Sequence, residues 1–413
     1  MSDTFYHNLP NGVQIVHRKT TSPVVYVGIM VGAGTRHELP NENGMAHYIE
    51  HCVFKGTEHY TARQIINHIE GIGGEINAYT TKEETTFYAA TLSNHFRTTL
   101  HLLADMVLHP TFSKKETDKE VTVILDEIES YNDSPSELIY DDFENMIFEG
   151  SSLAMPILGT KKTLRRISKS PDIALDWMQQ HYRPERMVLF VLGNVTTQQV
   201  ISAAEKELLA SSPISYSEAS YSEASCNQSP IAYSRTYKRH THQTHIMLGS
   251  HAYPIGHPKQ LTMYLLNNIL GGGSMSSRLY LSLREKHGLV YNIDSQAVPL
   301  SDTGYWNIYL ACEPQHKDQC LELCHKELKQ LRDTTLTSAQ LQRALRQLEG
   351  QMAISAENQE NNALAMAKQM LYHHHAPAWQ ETFAKVQQIT PTQLQDVANE
   401  VFAPEKIYTL LYD

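Results

Sequence analysis

No apolar run in the sequence approaches the roughly 20 residues that cross a bilayer, so a spanning helix is not expected. The opening stretch MSDTFYHNLPNGVQIVHRK has neither the apolar core of a secretion signal nor the Arg-rich, acid-free texture of a transit segment. Cytoplasm is therefore the expected location. Positive charge is also in short supply: 34 Lys+Arg stand against 45 Asp+Glu, a formal charge of −11. That argues against a nucleic-acid surface and leaves room for basic or extended peptide partners. Cysteines are few and odd in number, five in all. Cys52, Cys312, Cys320 and Cys324 fall in apolar periodic segments, which fits buried free thiols in a reducing compartment better than a disulfide framework. Cys320 and Cys324 could pair as metal ligands, but no second ligand cluster lies near them, so core packing is expected.

What is present is ordinary globular material, 41% hydrophobic and 19% charged, in a chain of 413 residues that suggests two domains of about 200 residues each. Asn11-Gly12 turns a first hairpin between residues 5–9 and 13–17. Val24–Val31 reads as a buried strand, and a helix carrying His47 follows the Gly32-Ala33-Gly34 break. A second helix starts at Thr61, and Gly71-Ile72-Gly73-Gly74 leads into a strand at 75–79 and another at 85–92. Helices are expected at 94–108, 116–131 and 196–209, with a strand at 184–195. The Ser-rich stretch 211–235, with its tandem YSEAS, reads as a linker. Beyond it the order repeats: a strand at 244–254, a helix at 260–270, strands at 290–298 and 304–312, then helices at 316–332, 338–355 and 361–373. Duplication of one α+β unit, a mainly antiparallel sheet packed with helices, accounts for this. The expected division is 1–210, 211–235 and 236–413, with metal chemistry in the first half only.

The chemistry concentrates in His47-Tyr48-Ile49-Glu50-His51. Histidines four apart on a helix share a face and can reach one metal ion. Met45, Ile49, Cys52 and Val53 form the opposite, core face, and Asn43 is the expected N-cap. Glu50 lies on the chemistry side without being needed as a ligand, where a general base belongs. The order H-x-x-E-H is the inverse of H-E-x-x-H. In a chain with 22 histidines it is also compatible with plain surface histidines. A zinc site of this type needs a third protein ligand. Glu120 and Glu127, seven apart, share a helix stripe with Val123 and Ile124 between them. β-branched residues between the charges suggest that both carboxylates point inward, against the alternative of an ordinary surface pair.

These residues resemble the pitrilysin/insulinase family of zinc metallopeptidases, specifically its mitochondrial-processing-peptidase-like branch. The resemblance rests on His47-x-x-Glu50-His51, Glu127 lying 76 positions on, Glu120, and the continuation Phe54-Lys55-Gly56-Thr57. It extends to Gly73 through Thr80 with Glu83 and Thr85, to Gly271 through Leu279, and to Leu283-Arg284-Glu285-Lys286-x-Gly288-Leu289-x-Tyr291. It implies one Zn²⁺ per chain on His47, His51 and Glu127, with Glu50 activating a zinc-bound water and Glu120 orienting a ligand imidazole. It implies that Arg284 and Tyr291 hold the substrate backbone and stabilise the oxyanion; without it they read as a surface pair. Two positions depart from the family pattern, Cys52 directly after the second histidine and the run His373, His374 and His375, which reads as an exposed helix end.

The expectation is a zinc endopeptidase acting on extended or unfolded peptides. The substrate would add as a strand beside Gly74, Glu75, Ile76, Asn77, Ala78 and Tyr79, since backbone pairing makes little sequence demand. The family's chamber needs four such halves, so a homodimer, or a heterodimer with a paralogue, is expected. The competing reading is a non-catalytic, zinc-stabilised peptide-binding or assembly subunit.

Overall fold

Val24–Val31 (VVYVGIMV) and Met187–Gly193 (MVLFVLG) are almost wholly apolar, and strands of that texture are covered on both faces. They form the middle of the first sheet in a computed structural model that describes residues 4–169, 171–209, 232–239 and 241–413. The first sheet comprises β1 (Thr4–Asn8), β2 (Gln14–Lys19), β3 (Val24–Val31), β4 (Glu75–Thr80), β5 (Thr85–Leu92) and β6 (Met187–Gly193), in the order β1-β2-β6-β3-β5-β4. The second comprises β7 (Ser234–Tyr237), β8 (Thr244–His251), β9 (Val290–Pro299), β10 (Gly304–Cys312) and β11 (Tyr408–Tyr412), in the order β7-β11-β8-β10-β9. Set β7 against β2, β11 against β6, β8 against β3, β10 against β5 and β9 against β4, and the two orders coincide. In each sheet one pair is parallel at the same place, β2 with β6 and β11 with β7, and the other pairs are antiparallel. The chain is thus an α+β protein of two homologous halves, as the recurring order of elements suggests.

The helices are α1 (Met45–Val53), α2 (Ala62–Glu70), α3 (Phe96–Leu108), α4 (Lys114–Asn132), α5 (Pro135–Ile147), α6 (Lys161–Ile167), α7 (Pro171–His181) and α8 (Thr197–Leu208). There follow α9 (Gln260–Leu270), α10 (Lys317–Asp333), α11 (Ser338–Glu357), α12 (Gln359–His373), α13 (Trp379–Val386) and α14 (Pro391–Val401). Among the described residues none is long and apolar enough to cross a membrane. Thr61, Thr160, Thr196 and Thr390 cap α2, α6, α8 and α14, each hydroxyl accepting from the backbone N–H three residues on. Our reading of the sequence assigns no helix to the segments of α5, α6, α7, α13 and α14, which the structure adds.

Each sheet is covered on both faces. In the first, Val25, Val27, Ile29 and Val31 pack with Ile49, Val53, Leu100 and Leu103, while Met30, Val188 and Phe190 face Met366, Ala367 and Met370 of α12. In the second, Ile246, Leu248, Trp306 and Ile308 face Leu265, Cys324 and Val397, while Met247, Leu410 and Tyr412 face Ile139, Phe143 and Met146 of α5. Each such buried side chain contributes roughly 1.5–3 kcal/mol. Gly28 is required where β3 passes Phe190 and Tyr88, because a Cβ there would lie 2.3 and 2.6 Å from their carbons.

Two compact units result, one of Met1–Glu129, Met155–Ser222 and Ser355–Pro377, the other of Ser130–Ala154, Glu223–Ile354 and Ala378–Asp413. The division expected at 1–210 and 236–413 therefore misses an exchange. α5 belongs with the second unit and α12 with the first, because each supplies the apolar stripe that covers the back of that unit's sheet. Residues 211–231 of the expected linker lie outside the described residues, and its expected end at 235 falls inside β7, which begins at Ser234.

Candidate metal centre

The zinc-motif helix is anchored by a carboxylate that spacing does not reveal. Asn43 is not the cap; Gly44 is, at φ 92°. Glu38 takes the first N–H groups, its Oε2 accepting from Gly44 N and its Oε1 from Ala46 N, both at 2.8 Å. Burial pushes the Glu38 pKa up to about 8, so these hydrogen bonds, not a standing charge, satisfy the open N–H groups at the helix start. Asn43 supports it from the side, its Nδ2 donating to Glu38 Oε2 (3.2 Å) and to the Pro156 carbonyl (2.9 Å). A Cβ at Gly44 would sit 2.8 Å from Gly159 Cα, so position 44 needs glycine for space as well as for φ.

The core face of α1 forms as expected, with Met45, Ile49, Cys52 and Val53 all buried, and Tyr48 is buried with them. Burial pushes the Cys52 thiol up to about 12, and Cys52 packs in the core and is not part of the metal-binding group found among the described residues. Cys312, Cys320 and Cys324 are likewise buried and unbridged, as expected.

His47, His51 and Glu127 come together. They form the one group of at least three metal-binding side chains among the described residues, with all ligand atoms within 4.8 Å of one another. Glu127 Oε2 lies 3.8 Å from His47 Nε2 and 3.5 Å from His51 Nε2. Ligands about 2.1 Å from a tetrahedral zinc are about 3.4 Å apart, so the donors fit that ion with little adjustment. The Nδ1 of His47 is buried with no partner among the described residues, which leaves Nε2 as the ring's working atom.

Glu120 holds the second imidazole. Its Oε2 is 3.3 Å from His51 Nδ1, and its Oε1 is 2.9 Å from Lys55 Nζ. A carboxylate on Nδ1 fixes the tautomer that presents Nε2 to a metal. In the metal-free protein, burial and the neighbouring His51 lower the His47 pKa to about 4. Burial also pulls His51 down, but the Glu127 and Glu120 carboxylates outweigh it and raise its pKa. The hydrogen bond to His51 lowers that of Glu127. Of the two acids expected to point inward, one does. Glu120 is buried and Ile124 fully so, but Val123 is 49% exposed and the Glu127 side chain 43% exposed. α4 turns Glu127 toward the imidazoles at the rim of the site, not into the core.

Glu50 is separate from the ligand group. Its Oε2 accepts a 2.6 Å hydrogen bond from the Thr80 hydroxyl at the end of β4, and burial raises its pKa. Among the described residues β4 is an edge strand, paired only with β5, and carries Glu75, Ile76, Asn77, Ala78 and Tyr79, with Gly74 just before it. The Ala78 N–H is not paired with a strand; it donates to the Asn77 side chain at 2.9 Å. By the alternation of an antiparallel ladder, Ile76 and Thr80 share that open side.

Arg284 and Tyr291 lie in the second unit and meet there. Arg284 sits on a π-helical stretch, Tyr280–Lys286, with its guanidinium carbon 4.9 Å from both the Tyr280 and the Tyr291 ring centroids. Tyr291 is 73% exposed at the start of β9. His373, His374 and His375 end α12 in the open, His374 at φ 54° with its Nδ1 on Gln14 Oε1 at 2.7 Å and His375 against Tyr6. They join no metal-binding group among the described residues. Glu38 and the pairings of Thr80 and Lys55 escape a sequence reading, since nothing in the spacing marks residues that meet through tertiary packing.

The model of the insulinase family, peptidase family M16, matches residues 14–161, and that of the peptidase M16 inactive domain matches residues 170–348. A Bacillus subtilis (strain 168) protein named uncharacterized zinc protease YmxG is 32% identical over 403 residues, 97% of this chain and 96% of its own. The chain belongs to the insulinase (M16) family of peptidases. The mitochondrial-processing peptidase subunit beta of Pongo abelii is 25% identical over 410 residues, covering 95% of this chain and 81% of that one. In fold, a protease from Helicobacter pylori superposes with a TM-score of 0.90 at 20% identity, over 100% of this chain and 99% of that one. Named relatives in this M16 group are zinc proteases, and the His47, His51 and Glu127 group of this chain is fit to hold that metal.

Proposed function

We propose that the chain is a zinc-dependent endopeptidase that hydrolyses extended or unfolded peptides, with His47, His51 and Glu127 as ligands and Glu50 as general base. The observation that carries this is a complete His-His-Glu donor group whose histidines share a helix with a half-buried carboxylate that is not consumed as a ligand. Zinc, when bound, supplies a Lewis acid that polarises the scissile carbonyl and makes water a nucleophile near neutral pH. Glu50, positioned by Thr80, takes the proton of the attacking water and returns it to the leaving amine. Arg284 and Tyr291 donate to the carbonyl oxygen as negative charge gathers on it. Glu120 orients His51, and the chain works as a dimer.

The free edge of β4 supports peptide binding by strand addition. A peptide carbonyl there would replace the Asn77 side chain on the Ala78 N–H. The deciding experiment is zinc analysis and turnover of a quenched fluorescent peptide on the same samples of wild type and Glu50→Gln. The reading requires zinc in both and turnover in the wild type alone. A zinc-loaded wild type that cleaves no unfolded peptide would instead favour a zinc-stabilised binding or assembly subunit.

A further inference from the structure

A cavity within the second unit joins an acid that has no counter-charge among the described residues to a set of phenol rings. Its volume is about 380 Å³, and Tyr140 of α5, Met275, Tyr280, Tyr291, Asp294 of β9 and Tyr309 of β10 line it. The Asp294 carboxylate accepts from Gln296 Nε2 at 3.0 Å and, at the limit of a hydrogen bond, from the Tyr140 hydroxyl at 3.5 Å. No lysine, arginine or histidine pairs with it among the described residues, and burial raises its pKa. A partly desolvated carboxylate is costly without a cation beside it.

The rings divide into two groups. Arg284 already rests on Tyr280 and Tyr291. Tyr140 and Tyr309, with centroids 5.5 Å apart, carry no cation among the described residues. The one basic side chain bonded to them is His245, whose Nδ1 meets the Tyr309 hydroxyl at 2.9 Å and whose burial favours the neutral ring. Aromatic faces attract organic cations. Ser136, Ser274 and Asn292 also line the cavity, but Asp294 is the single carboxylate among the lining residues, too little negative charge for a Ca²⁺ or Mg²⁺ site.

We propose that this pocket binds an organic cation, an ammonium or guanidinium group, between Asp294 and the rings of Tyr140 and Tyr309. The cation can come from a basic side chain of a peptide, which rests on the endopeptidase reading above, or from a free amine, which does not.

The test uses the full chain and two probes of one shape, N-acetyl-arginine amide and its uncharged counterpart N-acetyl-citrulline amide, titrated by calorimetry. The arginine amide should bind at least about tenfold more tightly, and Asp294→Asn should abolish the preference. Equal affinities in the wild type, a comparison that needs no variant, overturn the proposal; so does a preference undiminished in Asp294→Asn. Quenched peptides with arginine or citrulline at one position at a time then separate the sources. A kcat/KM ratio that collapses in Asp294→Asn assigns the cation to the peptide. A ratio that ignores the substitution, while agmatine displaces the arginine amide, refutes the peptide source and leaves the free amine. If no peptide is cleaved at all, the endopeptidase reading fails, yet the titration still decides the pocket.

Discussion

Glu120 and Glu127 differ in kind, and substituting each by glutamine separates the roles. Glu127 Oε2 faces both imidazole Nε2 atoms, so Glu127→Gln removes a charged donor from the ion itself and should leave the purified protein without zinc. Glu120 would act on a bound ion only through His51, whose Nδ1 lies 3.3 Å away, so Glu120→Gln should weaken zinc affinity by about 10–100-fold, or roughly 1.4–2.8 kcal/mol, and leave a loadable site. Part of that loss comes from Lys55. Its ammonium, 2.9 Å from Glu120 Oε1 with the side chain 32% exposed, loses its counter-charge and then opposes a divalent cation. That repulsion is on the order of 1 kcal/mol, so adding Lys55→Met to Glu120→Gln should restore roughly fivefold in affinity. Competition against a chromophoric zinc chelator at fixed pH reads all four proteins. A Glu120→Gln protein that is empty beside a Glu127→Gln protein that stays loaded would mean the two carboxylates are assigned the wrong way round. No recovery in the double variant would refute the electrostatic part.

Thr80→Val removes the 2.6 Å donor to Glu50 and should lower kcat about tenfold with zinc content unchanged; unchanged kcat would show that Glu50 needs no such positioning. Stability should fall as pH drops from 6.5 toward 4, since burial lowers the pKa of both His17 and His181 to about 4. At these two positions the unfolded chain then binds more protons than the folded one; their contribution is full above pH 6.5, and about 3 kcal/mol per histidine is lost through that window, against an opposing gain from Glu38, whose pKa burial raises to about 8. Urea midpoints of metal-free protein at pH 7.5 and 5 check this, and His17→Asn should flatten the dependence; an equal slope would remove His17 as a cause. Phe143→Ala should cost about 3–5 kcal/mol, because the ring is fully buried against the second sheet. A cost under about 1 kcal/mol would mean that α5 does not cover that sheet.

How far the sequence reaches depends on the range of the interaction. Val24–Val31 and Met187–Gly193 declare themselves as interior strands because apolarity is a property of the run. The threonine caps follow from residues three apart, and His47 and His51 share a face through helical geometry alone. The recurrence of strand, helix and strand pair after the serine-rich stretch already suggests two halves, and the coincident sheet orders show them.

Tertiary structure decided the rest. That α5 and α12 change units depends on which apolar stripe covers which sheet, and a stripe in sequence names no partner. Asn43 looked like a cap because asparagine often is one. Glu38, five residues earlier, has the carboxyl group, and the fold brings it to the N–H groups of Gly44 and Ala46. The seven-residue spacing of Glu120 and Glu127 put both on one stripe, but only packing made one buried and the other a rim donor. Thr80 on Glu50, Lys55 on Glu120, and Asp294 among its tyrosines are contacts in space. Local rules set which face a side chain takes; the folded chain alone sets what it meets there.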